Sequence, residues 1–524
     1  MTPAARSLRV GVLLDGTSVR AWVAWIVSAV HDHPDLDLAL VVHSTTPSPG
    51  RRSLFGLYER LDRGLFDVEP NALATVDIAD VITGVRRAPQ SDVADHDLDV
   101  LLHLGGPRPR AAILDAPRYG VWSYRHGAAA GAPPLFWEMA GGVGEAETVL
   151  EIVGHEGGWV IYRSTGVTDP VSLHRTRVPA YWKSARFALR RLEDLASGRW
   201  EPARGEPAQS PPQAAPPTAS RTLRHVAAVA TRVVRRKLRA TVFQHQWFLG
   251  VRRRTGDRLP QDDPAPWRLV FPPGDRSYAD PFVVCHAGET FVFLEVLSHA
   301  PLRGELAVGR LDDGALVDVA PVLPVPHHTS YPYVFEDGGV LYLIPESSAQ
   351  RRVDLFRATR FPGGWEHAAT LLEDVNAVDA SVFRHAGRYW LWVTIAVPGA
   401  RLNEETFLYF SDRLDAGWTP HPCNPVVSDA RRARSAGRPF LHDGRVIRPA
   451  QNCSGRYGRQ VVFNVVEQLD PERYSERPDG SLGPEWAGRP NLAAHTYTFD
   501  GEWEATDGLR TFTRATSASR STSP

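Results

Sequence analysis

The stretch ADPFVVCHAGETFVFLE at 279–295 decides the fold, because its frame returns four times downstream. It recurs as SYPYVFEDGGVLYLIPE (330–346), DASVFRHAGRYWLWVT (379–394), AGRPFLHDGRVIRPAQ (436–451) and, more loosely, AAHTYTFDGEWEATD (493–507). Each copy reads as a short strand, a turn centred on glycine and a second strand. The turn glycines Gly288, Gly339, Gly387, Gly444 and Gly501 stand 51, 48, 57 and 57 residues apart. A hairpin recurring at about 50 residues, with room for two more strands between copies, predicts four-stranded propeller blades. Five copies predict a five-bladed β-propeller over 255–515.

The shared register predicts which side chains meet on the axis, since the first strand of each blade lines it. Eight residues before each glycine stand Asp280, Tyr331, Asp379, Ala436 and Ala493. Seven residues after each stand Glu295, Glu346, Thr394, Gln451 and Gly508, so the fifth copy offers no functional side chain at either level. Crowded carboxylates raise one another's pKa, which suits acid–base work or the gripping of sugar hydroxyls. Asp280, Glu346 and Asp379 are the candidate catalytic residues on this register. Glu295, Tyr331 and Gln451, with His328 just before the second blade and Arg438 in the fourth, are the candidate substrate-binding residues. The alternative is that these carboxylates cap turns or pair with arginines such as Arg276, Arg434, Arg438 and Arg448. No His/Cys cluster has metal-ligand spacing, so neither a metal nor another cofactor is expected.

The remainder of the 524 residues divides at WEPARGEPAQSPPQAAPPTAS (200–220), whose six prolines and few large apolar side chains predict a linker. Ahead of it, over 1–199, RVGVLLDG, LDLALVVHS and LDVLLHLGG are apolar runs alternating with helical patterns. Runs buried on both faces suit a parallel sheet flanked by helices, so the front domain is expected to be doubly wound α/β. Residues 516–524 are expected to be a disordered tail.

Between linker and propeller, residues 221–254 carry ten Lys or Arg and no Asp or Glu. On a helical wheel the arginines gather on one side, with Leu223, Val226, Val233, Val234 and Leu238 on another. This basic amphipathic helix has two readings: adsorption to an anionic membrane surface, or docking between the domains with a solvated basic face. The formal net charge of −1 gives no reason to expect nucleic acid as a partner. Three cysteines, Cys285, Cys423 and Cys453, do not make a disulfide framework and read as reduced thiols. The N-terminal apolar run is too short for a signal peptide, and no window reaches the ~18 apolar residues of a membrane span. A cytoplasmic protein, peripheral to the membrane at most, is the expectation.

SYADPFVV, SYPYVFEDGGVLYLIPES, DASVFRHAGRYWLWVT and AGRPFLHDGRVIRPAQNCSGRYG resemble the propeller at the front of glucosamine inositolphosphorylceramide transferases, and more distantly the family 43 glycosidases. The glycosidase resemblance implies an Asp base on the first blade, which Asp280 matches, with a second Asp as modulator and a Glu as acid. Tyr331 stands where that second Asp would be. In the front domain, PRYGVWSYRHG (117–127) resembles the formyltransferase fold, with Ser123 at the position of its catalytic Asn and its His either displaced to His126 or replaced by Arg125. HEGGWVIYRS (155–164) offers no counterpart to its Asp. Three functions follow as expectations. The first is a glycosyl or other group transferase of polysaccharide or glycolipid biosynthesis, with a carbohydrate or glycolipid substrate on the propeller. The second is a non-catalytic glycan-binding scaffold. The third is a formyl or acyl transferase acting on an amino sugar through Ser123 and His126.

Overall fold

The computed structural model describes residues 7–43, 53–106, 109–129, 131, 133–155, 157–202, 206–208 and 212–513. The expected tail at 516–524 lies outside them. The chain forms two compact units that divide at Arg232/Val233, with residues 397–401 grouped with the first.

The first unit is built on an eight-stranded sheet. Its parallel part runs in the order Arg87–Pro89, Leu36–His43, Leu8–Leu14, Val100–His103 and Val121–His126. Glu145–Val153, Gly158–Val167 and Glu206–Ala208 extend it antiparallel, so the expected parallel sheet is a mixed one. The last of these strands comes from the Pro-rich linker, which therefore holds ordered backbone at the sheet edge. Val10, Val12 and Leu14 face one side and pack with Trp22, Ile26 and Val27 of helix α1 (Ala21–His31). Helix α2 spans Leu54–Leu65 and helix α3 Phe136–Gly141. Helix α4 (Leu173–Ala196), capped by Ser172, adds Phe187 and Leu192 to the cluster of α1. Leu13 and Leu40 face the other side and meet Val93 and Ile113 of short 3₁₀ segments. The strands are apolar on both faces because both faces are covered.

Helix α5 (Ala219–Val242) joins the front unit to the second. The second unit is the five-bladed propeller. Blade 1 comprises Arg276–His286, Glu289–His299, Leu302–Asp312 and Ala315–Pro321. Blade 2 runs from Ser330 to Glu373, blade 3 from Ala377 to Ser428 and blade 4 from Phe440 to Leu482. The turn glycines sit where the sequence register puts them, all at positive φ of 54° to 82°. In the first four copies the preceding residue (Ala287, Gly338, Ala386 or Asp443) is also left-handed. These are the two-residue turns whose twist matches that of their strands.

Blade 5 is assembled from both ends of the unit. Tyr497–Asp500 pairs with Trp503–Thr513, which pairs with Phe243–Arg253 and, through it, with Arg268–Val270. Residues 243–253, which the sequence reading attaches to the helix as a lead-in to a propeller starting at 255, are thus propeller strand. The segment has no hairpin partner nearby in sequence, because its partner lies at the far end of the unit. Phe248, Leu249 and Val251 are buried in the closed blade. Arg252 forms a buried ion pair with Glu504 across this closure and donates to the carbonyls of Pro260, Asp263 and Ala265. Among the described residues no helix is long and apolar enough to cross a membrane.

Replacing one member of a buried ion pair leaves the other charged and unpaired, which costs about 3–5 kcal/mol. The Arg252→Ala variant is therefore expected to lose that much stability in urea unfolding of the propeller. A loss below about 1 kcal/mol would show that closure does not depend on this pair.

Candidate functional site

Asp280, Tyr331 and Asp379 occupy the same place in blades 1, 2 and 3, and each takes a left-handed backbone, with φ of 50°, 47° and 51°. At each, the pairing of first and second strands slips: between Ala279 and Phe282, Ser330 and Tyr333, and Val378 and Ser381. A bulge of this kind re-aims one side chain out of the pleat. Here it sends all three to one end of the propeller axis.

There they join neighbouring blades. Asp280 accepts from the Tyr331 N–H (3.1 Å) and from the Thr496 hydroxyl (2.7 Å), and lies 3.4 Å from His495 Nε2. Blade 1 is thereby tied to blades 2 and 5. The Tyr331 hydroxyl lies 2.9 Å from Ser381 Oγ in blade 3 and accepts from the Gly437 N–H at 2.8 Å. Asp379 pairs with Arg434, which reaches both its oxygens, and accepts from Gln451 Nε2 at 3.2 Å. Burial, only partly opposed by Arg434, pushes Asp379 up to about 6. Glu346 accepts from the Ser330 hydroxyl and from the Ser348 N–H at 2.8 Å.

Glu295 differs from these. It is buried, with His328 Nε2 3.7 Å from its carboxyl. His328 is half exposed and accepts the Gly304 N–H on Nδ1 at 2.9 Å. Burial, and then the charges of Asp280, Glu346 and Asp379, hold the Glu295 carboxyl well above the usual carboxylate range, against the opposing charge of His495. A carboxyl kept neutral can donate a hydrogen bond or a proton. Among the axial acids, Glu295 is the one next to a half-exposed histidine.

Asp280, Glu295, Glu346, Asp379, Tyr331, Gln451 and His328 therefore share one axial end. Arg438 does not join them. It donates to the carbonyls of Val283, Val334 and Phe499, bracing blades 1, 2 and 5 further along their inner strands. There it lines a separate cavity of about 400 Å³ with Cys285, Tyr389 and Asp500.

Sequence reasoning missed His495 and Asp507 of blade 5, and Trp247. His495 stands six residues before its turn glycine and Asp507 six after, off the two levels that define the rings. His495 Nδ1 lies 2.6 Å from Asp507, and its ring stacks on Trp247 with centroids 4.1 Å apart. Burial lowers the pKa of this imidazole, but Asp507 and Asp280 outweigh it and raise it to about 9. The ligand-capable atoms of Asp280, His495 and Asp507 lie within 4.8 Å of one another, so these three could hold a cation. A cation there competes with the His495 proton.

In the front unit, a cleft of about 940 Å³ opens at the carboxyl ends of Leu8–Leu14 and Val100–His103, where open α/β sheets bind ligands. Asp15, Arg20, Glu59, Arg63, His174 and Arg177 line it, whereas Ser123 and His126 do not. Ser123 Oγ lies 3.0 Å from His103 Nδ1. His126 is buried, stacked on Tyr181 and 2.9 Å from Ser184 Oγ, and burial pushes its pKa down to about 3. The two residues are not brought together at an open pocket.

The raised pKa of His495 fixes a direction for stability against pH. Protonated His495 stabilises the fold fully below the unfolded-state value of about 6.5, and that stabilisation is lost as pH rises through about 9. Urea unfolding of the intact protein is expected to show a decline on the order of 3 kcal/mol across that window. A profile flat through it would contradict a charged His495.

Residues 273–481, covering blades 1 to 4, match the family model described as "Glucosamine inositolphosphorylceramide transferase 1, N-terminal". The transferase of that name from Oryza sativa subsp. japonica is 33% identical over 205 residues, which are 38% of this chain and 27% of the relative. The Arabidopsis thaliana protein is 32% identical over 203 residues, covering 38% and 26%. Among solved structures, RS223-Beta-xylosidase is similar over 46% of this chain and 93% of its own, at 9% identity and a TM-score of 0.34. Glycinamide ribonucleotide transformylase 1 from Symbiobacterium toebii is similar over 40% of this chain and 96% of its own, at 15% identity and a TM-score of 0.28. The strand order described above carries the fold assignment. What the chain shares with the transferases is thus the propeller segment 273–481, in a chain that spans about a quarter of their length.

Proposed function

We propose that the propeller is the glycan-recognition module of a transferase in glycolipid or polysaccharide assembly, with the sugar at the axial end formed by Glu295, His328, Glu346 and Arg434. The carrying observation is the contrast between Glu295 and its neighbours. Asp280 and Asp379 spend their oxygens on other blades, while Glu295 is held protonatable beside half-exposed His328. A carboxyl pushed well above the usual carboxylate range beside a half-exposed histidine suits donation to a sugar hydroxyl or to a departing oxygen. The relatives' name, glucosamine inositolphosphorylceramide transferase, supports an amino sugar or an inositol-linked glycolipid headgroup as the ligand class.

A non-catalytic glycan-binding scaffold is the second reading. It is favoured by the same saturation of Asp280 and Asp379, which leaves the axial end without a free pair of aspartates. Formyl transfer in the front unit has less support, because Ser123 and His126 stand outside its cleft.

Thermal-shift titration of the whole chain with glucosamine-containing oligosaccharides, inositol-phosphate headgroups, nucleotide sugars and folates tests the proposal, since a ligand of the native state raises its stability. Glycan or headgroup stabilisation is expected, with affinity reduced at least about tenfold in Glu295→Gln, a near-isosteric change that removes the carboxyl. Product formation from a nucleotide sugar would select the transferase reading, and binding without turnover the scaffold. Stabilisation by folates alone, or a Glu295→Gln variant that binds glycan as well as the parent, would overturn the proposal.

A further inference from the structure

Helix α5 packs on the front unit through a narrow strip. Thr222 and His225 are buried, with His225 Nε2 3.1 Å from the Tyr58 hydroxyl and its ring edge-on to Phe136. Val229 packs with Phe55, Phe136 and Met139. Arg232 donates to the Pro170 carbonyl at 3.0 Å, and Arg221 lies over the Trp137 ring. This strip is not the apolar face of the wheel. Leu223, Val226, Val234 and Leu238 remain 43% to 62% exposed, and Val242 and Phe243 at the helix end are exposed as well.

The cations are equally uncovered. Arg224, Arg235, Arg236, Lys237 and Arg239 are exposed, and the helix contains no acidic residue. At 100° per residue, Arg224, Arg235 and Arg239 form a stripe beside the one formed by Leu223, Val234 and Leu238. The helix thus has three sides: one docked, one apolar and open, one basic and open. An apolar stripe left in water costs free energy in proportion to its area, and five cations without an acid on the same helix repel one another. A surface that is apolar at depth and anionic above it removes both costs together.

We propose that α5 is a membrane-surface helix, lying in the interface of a bilayer rich in anionic phospholipid. Leu223, Val226, Val234 and Leu238 enter the acyl boundary while Arg224, Arg235 and Arg239 stay among the headgroup phosphates, which Lys237, between Val226 and Leu223 on the wheel, reaches along its aliphatic stem. Charge complementarity selects the lipid: each basic residue near an anionic surface contributes about 1 kcal/mol, and a neutral bilayer offers none of it. The inference stands apart from the sugar site and holds whichever ligand the propeller takes.

Flotation of the full chain with vesicles tests it. Binding is expected to phosphatidylcholine vesicles containing about a third phosphatidylserine, to vanish on pure phosphatidylcholine, and to fall steeply in high salt. Because the altered side chains are exposed, Val234→Ser with Leu238→Ser should keep the melting temperature while reducing binding about tenfold or more. Arg235→Glu with Arg239→Glu should do the same through charge. Three results would overturn the proposal. The first is absence of binding to the anionic vesicles, and the second is binding that both double variants leave unchanged. The third is a chain that self-associates without touching vesicles and becomes monomeric in the Val234→Ser, Leu238→Ser variant, which would assign the face to a second copy.

Discussion

The axial end of the propeller depends on a backbone irregularity repeated in three consecutive blades. A non-glycine residue at positive φ costs on the order of 1–3 kcal/mol, and Asp280, Tyr331 and Asp379 each carry that cost at the same register position. What offsets it is visible. Each bulged residue sends its side chain out of its own blade and into hydrogen bonds with others: Asp280 to blades 2 and 5, Tyr331 to blades 3 and 4, Asp379 to blade 4. Blade 4 meets the same demand with Gly437, at a φ of 128°, where an added Cβ would sit 1.9 Å from the Tyr497 carbonyl. The strain and the inter-blade bonds are two sides of one device, which holds five separate sheets around a common axis.

That device also sets the electrostatics. Five buried acids at one end of an axis, Asp280, Glu295, Glu346, Asp379 and Asp507, would be intolerable if all were charged and unpaired. Arg434 neutralises Asp379, and His495, shared between Asp507 and Asp280, neutralises part of the rest. Glu295 has a half-exposed imidazole at 3.7 Å, and burial with the charges of Asp280, Glu346 and Asp379 pushes its carboxyl well above the usual carboxylate range. Glu295, held well above the usual carboxylate range, is thus an acid that the described hydrogen bonds do not use to tie blades together.

Much of this was legible in the sequence, for a physical reason. The two-residue turns need positive φ, so glycine marks them, and the fixed turn length transmits register to both strands. Counting from Gly288, Gly339 and Gly387 therefore finds Asp280, Tyr331, Asp379, Glu295 and Glu346 without any structure. Where the turn does not govern the residue, the count fails. His495 lies in irregular chain ahead of the strand Tyr497–Asp500, so no register binds it to the other blades. The strand 243–253 has no turn of its own, and its partner 503–513 lies at the opposite end of the unit. Helix α5 misled in another way. Its wheel showed an apolar face, but periodicity shows only that faces differ, and the docked side is built from Thr222, His225 and Val229.

The distinction between tying blades and meeting a ligand decides how the axial residues must be interpreted. Loss of Asp280 removes an acceptor from the Tyr331 N–H, from Thr496 and from His495 at once, so any loss of activity would be inseparable from loss of structure. Glu295 has no such entanglement. It sits where the adjoining strand carries Gly304, and a Cβ there would come within 2.1 Å of the Glu295 carboxyl and 2.7 Å of the His328 ring. Backbone strain is not the reason for this glycine, since its φ lies outside the left-handed region. The space is. Residue 304 is kept small so that a carboxyl and an imidazole can stand side by side where the chain enters blade 2, the Thr329 carbonyl lying 2.8 Å from the same Cβ position and the Thr329 N–H donating to the Gly304 carbonyl at 3.1 Å.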